Sequence, residues 1–177
     1  MKKISRRNFF STSLSVGAGA MVSRAFSFAQ TGAPTSLPVI LVAHTNETGK
    51  KATEAGWEIL SSGGSALDAI EKAANIIELD GEGTSVGYGG LPNENGVVQL
   101  DSCIMDGKTY NAGSVGCLEN IKTPCSVARI VMEKTDHVML AGEGALQFAL
   151  NQGFQKTNLL TPAARETWEK WRHGSCH

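Results

Sequence analysis

The side chains able to do acid–base, nucleophilic or metal chemistry are few in this chain, and their spacing assembles no self-contained site. The histidines are His44, His137, His173 and His177. They form no HExxH helix for zinc, and the GxSxG string Gly83-Thr84-Ser85-Val86-Gly87 has neither a strand pattern before it nor a helix pattern after it to make an elbow that presents a serine nucleophile. His173, Cys176 and His177 cluster at the C-terminus, where a frayed tail is the expectation and a metal site the alternative. Cys103, Cys117, Cys125 and Cys176 include no CxxC pair, so spacing gives a zinc site little support. Cys103 reads as a small buried hydrophobe in mid-strand, and whether Cys117 and Cys125 bridge is left open, since spacing does not show whether their Cα atoms come within reach. Asp101 shares a strand face with Gln99 and Cys103 and reads as a satisfied, half-buried acid, whereas turn chemistry accounts for Asp106. Gly87, Gly89 and Gly90 surround Tyr88 in a run where positive φ is allowed and where another backbone or a ligand can come close. Neither GxxxxGK[ST] nor a GxGxxG opening a helix is present, so a nucleotide-phosphate cradle is rejected.

The elements that must position these residues are legible from periodicity. Pro38 to Ala43, PVILVA, is a continuous apolar run of the kind buried on both faces of a sheet, and Thr45 to Gly49 follows as a loop suited to substrate contacts. Lys50 to Ser62 reads as a helix stopped by Gly63-Gly64, with Trp57 on its core face. Ser65 then opens a second helix as N-cap with Asp68 in the capping-box position, and its wide apolar face should lie against a sheet. Val97 to Met105 alternates as a strand, and Asp106-Gly107 suits a tight type I′ turn into Lys108 to Val115. Thr123-Pro124 caps and opens a helix, His137 to Leu140 is a brief strand, Ala145 to Gln152 is a helix closed by Gly153, and Thr161-Pro162 opens a last helix carrying Trp168 and Trp171. That order fits an α+β domain with a mostly antiparallel sheet.

The chain has 177 residues and a formal net charge of −1. Residues 1–29 read as an export signal: Lys2, Lys3, Arg6 and Arg7 precede the acid-free apolar segment Phe9 to Val22, and Ser27-Phe28-Ala29 suits cleavage. The run Ser5-Arg6-Arg7-Asn8-Phe9-Phe10 resembles the twin-arginine type, which implies a periplasmic protein; a plain amphipathic N-terminal helix is the alternative. Cleavage removes five basic residues and no acidic one, so the charge moves to −6 and a nucleic acid or an anionic membrane is an unsuitable partner. No later apolar run reaches the roughly 18 residues of a membrane span. Residues 30–37 are a leader, 38–172 the domain and 173–177 a tail.

GGSALDAIEKA (Gly63 to Ala73), SVGYGG (Ser85 to Gly90), LDSCIMDG (Leu100 to Gly107), AGSVG (Ala112 to Gly116) and VARIVMEKTDHVMLAGEGA (Val127 to Ala145) resemble, in that order, the N-terminal half of glycosylasparaginases. These are N-terminal-nucleophile amidohydrolases of the wider asparaginase and isoaspartyl-peptidase group. The resemblance implies half of an αββα four-layer sandwich, self-cleavage of a precursor into α and β chains, an αβ heterodimer that can pair again, an asparagine derivative as small-molecule substrate, and no cofactor or metal. It implies a threonine nucleophile whose own α-amine, of ordinary pKa about 7.7–8.0, is the base.

Cleavage in that family falls between Asp and Thr, and here Asp68, Asp80, Asp101, Asp106 and Asp136 are each followed by another residue. The nucleophile is therefore expected on a β portion, with this chain an α portion, inactive alone, from a truncated or frameshifted reading frame. The loop tryptophan that flanks substrate in the family has no counterpart in His44-Thr45-Asn46-Glu47-Thr48. Asn46 stands nearest its place and is carried over as a substrate-loop position, and Ser85 as a wall of the active site. The missing tryptophan leaves L-asparaginase or isoaspartyl peptidase as alternatives, and an inactive structural half as a third.

Overall fold

The computed structural model describes residues 37–174. The segment read as an export signal, nearly all of the segment read as a leader, Cys176 and His177 lie outside the described residues. Five helices and three strands are present among them: α1 Glu47–Ser61, α2 Ala66–Glu78, β1 Leu100–Met105, β2 Ala112–Leu118, α3 Pro124–Lys134, β3 Met139–Ala141, α4 Gly142–Asn151 and α5 Pro162–Gly174.

The sheet order is β1-β2-β3, with β1 antiparallel and β3 parallel to β2. The sheet is therefore mixed, because α3 carries the chain back before β3 begins and a helical crossover delivers the next strand parallel. Leu100 and Ile104 of β1 and Val115 and Leu118 of β2 point to one face; Asp101, Cys103 and Met105 point to the other. Against the first face pack Val127, Ala128 and Val131 of α3 and Ala145, Leu146 and Ala149 of α4, all buried with Ile121 and Cys125 in one core. The second face is bare, with Met105 55 % and Met139 57 % exposed. One helical layer on one sheet is what the described residues form, and Cys103 lies on its open face instead of in the core.

Several expectations are corrected. Pro38 to Ala43 joins no strand ladder, and Leu41 is 90 % exposed, because an apolar run becomes a buried strand only when neighbours satisfy its backbone and cover both faces. The second helix, α2, packs on α1 and α3, not on the sheet, so Ile70 on its wide apolar face and Leu79 at its C-cap stay about half exposed. Trp57 is on the open side of α1, whose buried residues are the small Gly49, Ala52 and Gly56. The first hairpin strand starts at Leu100, not Val97, and its turn spans Asp106 to Asn111. There Asp106 Oδ1 accepts the Lys108 N–H at 2.9 Å and its Oδ2 the Thr109 hydroxyl at 2.7 Å, and Tyr110 takes φ 62°. An aspartate that closes an Asx turn this well stabilises a longer loop over a two-residue I′ turn. Whether Cys117 and Cys125 bridge, which spacing leaves open, is answered by the structure: both are free thiols.

Helix ends follow the expected chemistry at most places. Ser65 Oγ accepts the Asp68 N–H at 3.0 Å, Thr161 Oγ1 the Ala164 N–H at 3.2 Å, and Gly153 at φ 94° closes α4 with the Phe154 N–H on the Ala149 carbonyl at 3.1 Å. Arg129 on α3 ties this helix to α2, reaching Asp68 and Glu71 at 2.7 Å each, while holding Glu133 at 2.8 Å on its own helix.

Gly87 has φ 63°, and a Cβ there would run into the Glu78 backbone, whereas Gly63, at φ 86°, faces open space. We expect Gly87→Ala to lower urea stability by about 2–4 kcal/mol, combining strain with collision, and Gly63→Ala by only about 1 kcal/mol. Equal losses at the two positions would show that the close approach at Gly87 contributes nothing.

Candidate functional site

A cavity of about 400 Å³ opens where four parts of the chain meet: His44 ahead of α1, Ala74, Ile77 and Glu78 on α2, the loop Ser85 to Gly87, and Gln99 to Ser102 entering β1, with Pro124 of α3 at its edge. Each wall has a local cause. The loop is held from three sides: the Tyr88 N–H donates to the Glu78 carbonyl at 2.7 Å, the Gly89 N–H donates to the Leu159 carbonyl at 2.9 Å, and the Lys122 ammonium sits 4.3 Å from the centre of the Tyr88 ring. The β1 wall carries a bulge, Leu100 facing Leu118 but Ser102 facing Val115, and Asp101 stabilises it by accepting the Cys117 N–H at 2.7 Å where Cys117 has φ 49°. Asp101 is thus satisfied, as expected, but on the exposed side of the strand.

The sequence-derived residues fall in different places. Ser85 is in the cavity wall, exposed, and its Oγ lies 3.3 Å from His44 Nε2, the direction of that hydrogen bond being set by the ring tautomer. Asn46 is the N-cap of α1: its Oδ1 accepts the Gly49 N–H at 2.9 Å, and it is not among the residues lining the cavity. Beside it Thr48 donates to Asp80 Oδ2 at 2.6 Å, and that hydroxyl, with the Glu82 N–H, holds the Asp80 carboxyl below its ordinary range. His173 lies exposed in the last turn of α5. The described residues contain no group of three or more His, Cys, Asp or Glu placed to hold a metal ion, and no helix long and apolar enough to cross a membrane.

Two cavity residues escaped sequence reasoning. His44 borders an apolar run and reads there as a loop residue. Glu78 sits at the last position of an amphipathic helix, where a solvated carboxylate is the ordinary reading. Instead it is 5 % exposed, its Oε1 accepts the Cys125 N–H at 2.9 Å, and its Oε2 has no partner among the described residues. Thr123 makes no side-chain cap on α3, so Glu78 supplies from another helix the acceptor that the start of α3 requires. Burial pushes its carboxyl up to about 7 against the opposing pull of the Cys125 N–H, and the charge of Glu71 adds to the rise. Burial also pushes the Cys125 thiol up to about 12, so that sulfur is no nucleophile at neutral pH.

The His44–Ser85 pair does not make a serine hydrolase site, because no carboxylate hydrogen-bonds the imidazole among the described residues. What the cavity offers is two hydroxyls, Ser85 and Ser102, the Gln99 amide, an imidazole and two carboxyls, Glu78 and Asp101, with no Lys or Arg in its lining. Such a lining orients and polarises, and it favours a positively charged or hydrogen-bond-donating guest.

Since folding raises the proton affinity of Glu78, the folded chain binds more protons than the unfolded one between pH 4.5 and 7, so its contribution to stability falls as pH rises through that window and is level above it. The effect is of order 3 kcal/mol. Glu78→Gln is expected to flatten that slope in urea titrations across pH 4.5–7, and an unchanged slope would contradict the assignment.

Comparison with known proteins converges on one lineage. The asparaginase family model matches residues 31–176. An N(4)-(β-N-acetylglucosaminyl)-L-asparaginase of Elizabethkingia miricola is 54 % identical over 137 residues, 77 % of this chain and 39 % of that protein. The enzyme of the same name from Rattus norvegicus is 45 % identical over 127 residues, 72 % of this chain and 37 % of its own. An isoaspartyl peptidase/L-asparaginase of Xenopus laevis is 43 % identical over 124 residues, 68 % and 40 %. The chain thus spans about two-fifths of the length of the curated relatives it matches, and it belongs to the asparaginase family that contains glycosylasparaginases, isoaspartyl peptidases and plant-type asparaginases.

Proposed function

We propose that this chain is the α portion of a hydrolase acting on the side-chain amide of asparagine derivatives, with glycosylated asparagine as the preferred substrate. The observation that carries the reading is the 54 % identity to an N(4)-(β-N-acetylglucosaminyl)-L-asparaginase. The nucleophile is assigned to a β portion that begins with threonine, since no Asp-Thr pair occurs in this sequence. The bare sheet face and the unpaired segment Pro38 to Ala43 are where that portion would complete a four-layer sandwich, and the export signal would place the assembly in the periplasm.

In this assembly the threonine α-amine takes the proton of its own hydroxyl, and the Oγ attacks the amide carbonyl of the substrate. The carbonyl π electrons move to oxygen, where hydrogen-bond donors stabilise the oxyanion. They return as the C–N bond breaks, and the sugar amine leaves with the proton held by the α-amine. Water, activated by the same amine, then cleaves the threonine ester and frees aspartate. Ser85, fixed by the Gly87–Tyr88 loop, is the group of this chain that would face the reacting threonine. Asn46 keeps its place in the substrate loop, but as a helix cap it offers no flat aromatic wall. That observation favours a second reading, in which free asparagine or a β-aspartyl dipeptide is preferred.

Combining the chain with a β portion carrying N-terminal threonine is expected to give a complex that releases aspartate from N4-(β-N-acetylglucosaminyl)-L-asparagine at least tenfold faster than from free asparagine or a β-aspartyl dipeptide. The reverse order would assign the second reading, and no release from any of the three would overturn the enzyme assignment. Leu41→Lys, at a 90 % exposed position, should leave the chain's own stability within about 0.5 kcal/mol. The same change should weaken formation of that complex in gel filtration, and undiminished assembly would remove the Pro38–Ala43 segment from the interface.

A further inference from the structure

We propose that Glu78 is a positioning residue for amide hydrolysis, acting through the Ser85–Tyr88 loop and the start of α3; this rests on the function proposed above. Two different groups of this one residue hold two walls of the same cavity. Its carboxylate accepts the Cys125 N–H at 2.9 Å and so fixes the first turn of α3, beside Pro124. Its main-chain carbonyl accepts the Tyr88 N–H at 2.7 Å, and the Gly87 backbone presses against the Glu78 backbone so closely that no Cβ fits between them. Both Pro124 and the loop with Ser85 line the cavity. A shift of Glu78 therefore moves both walls together.

The second carboxylate oxygen suggests more than a tether. Oε2 is buried and has no partner among the described residues, so the fold leaves one strong acceptor facing no donor. The titratable and charged groups around it are Glu71 on the same helix, the Cys125 thiol on α3, and, in the cavity lining, Asp101 on β1 and His44 ahead of α1. The cation Arg129 of α3 is held by Asp68, Glu71 and Glu133 and does not line the cavity, so an ionised Glu78 adds negative potential to a cavity that already holds Asp101. An α-amine brought against Ser85 in that cavity has its protonated form stabilised by this charge, which raises the pH at which it becomes a free base. Because the carboxyl titrates near 7, this influence is switched within the range where the amine must work.

The test compares Glu78→Gln and Glu78→Ala in the chain assembled with its threonine portion, alongside amide exchange at Cys125 in this chain alone. Glutamine keeps the acceptor for Cys125 and removes the charge. It should retain kcat within threefold and move the acid limb of the kcat/KM profile to lower pH by at least 0.5 unit. Alanine should lower kcat at least tenfold with KM little changed and speed Cys125 amide exchange at least tenfold. An unmoved acid limb in the glutamine variant would overturn the electrostatic role, and unchanged exchange at Cys125 in the alanine variant would overturn the clamp. If the unsubstituted assembly hydrolyses no substrate, the proposed function fails by itself, while amide exchange still decides whether Glu78 clamps α3.

Discussion

The structure depends on how closely the backbone of the Gly87–Tyr88 loop approaches the end of α2. Glu78 is the receiving point: its carbonyl takes the Tyr88 N–H, its backbone excludes any side chain at Gly87, and its carboxylate caps α3 in place of Thr123. Removing a carboxylate from water is costly, and its raised pKa is the sign of that cost. The cavity keeps its shape because one residue holds both walls, its carboxylate the start of α3 and its main chain the glycine loop that carries Ser85.

A second constraint is the uncovered sheet face. A helical layer covers one face of the three-stranded sheet and leaves Met105 and Met139 open on the other, while Val39 and Leu41 project from a segment without strand partners. Exposed apolar area of this kind, beside backbone without strand partners, is what a covering partner would bury. The Arg129 network and the α3–α4 core stabilise the covered side without help from the bare one. The asymmetry agrees with a chain that spans about two-fifths of its relatives' length.

Much of this was legible in the sequence because its signals are local. Ser65, Gly153 and Thr161-Pro162 mark helix ends through the hydrogen bonds of a single turn, Pro124 marks one through its fixed φ, and the alternation of Leu100 to Met105 names the face that is buried. The SVGYGG run announced a close approach, though not that Glu78 would be its partner, since nothing local distinguishes a buried carboxylate at the end of an amphipathic helix from a solvated one. The failures share that cause. PVILVA reads as a doubly buried strand, yet burial depends on neighbours that the pattern cannot supply. Trp57 and Cys103 read as core for the same reason, and Asp106-Gly107 made a longer Asx-closed loop because its carboxylate found Lys108 and Thr109. Resemblance alone singles out Ser85 as an active-site wall and Asn46 as a substrate-loop position; in the fold Ser85 lines the cavity, while Asn46 caps α1 a few residues ahead of where periodicity begins that helix.

The central claim is that this chain supplies walls and charge but no nucleophile. The most direct measurement is the release of aspartate and amine from N4-(β-N-acetylglucosaminyl)-L-asparagine by the purified chain alone, with the product followed by mass. The account predicts no turnover above the uncatalysed rate and no covalent adduct on Ser85 or any other residue of the chain. Steady release of aspartate, or an aspartyl ester trapped on Ser85, would contradict it.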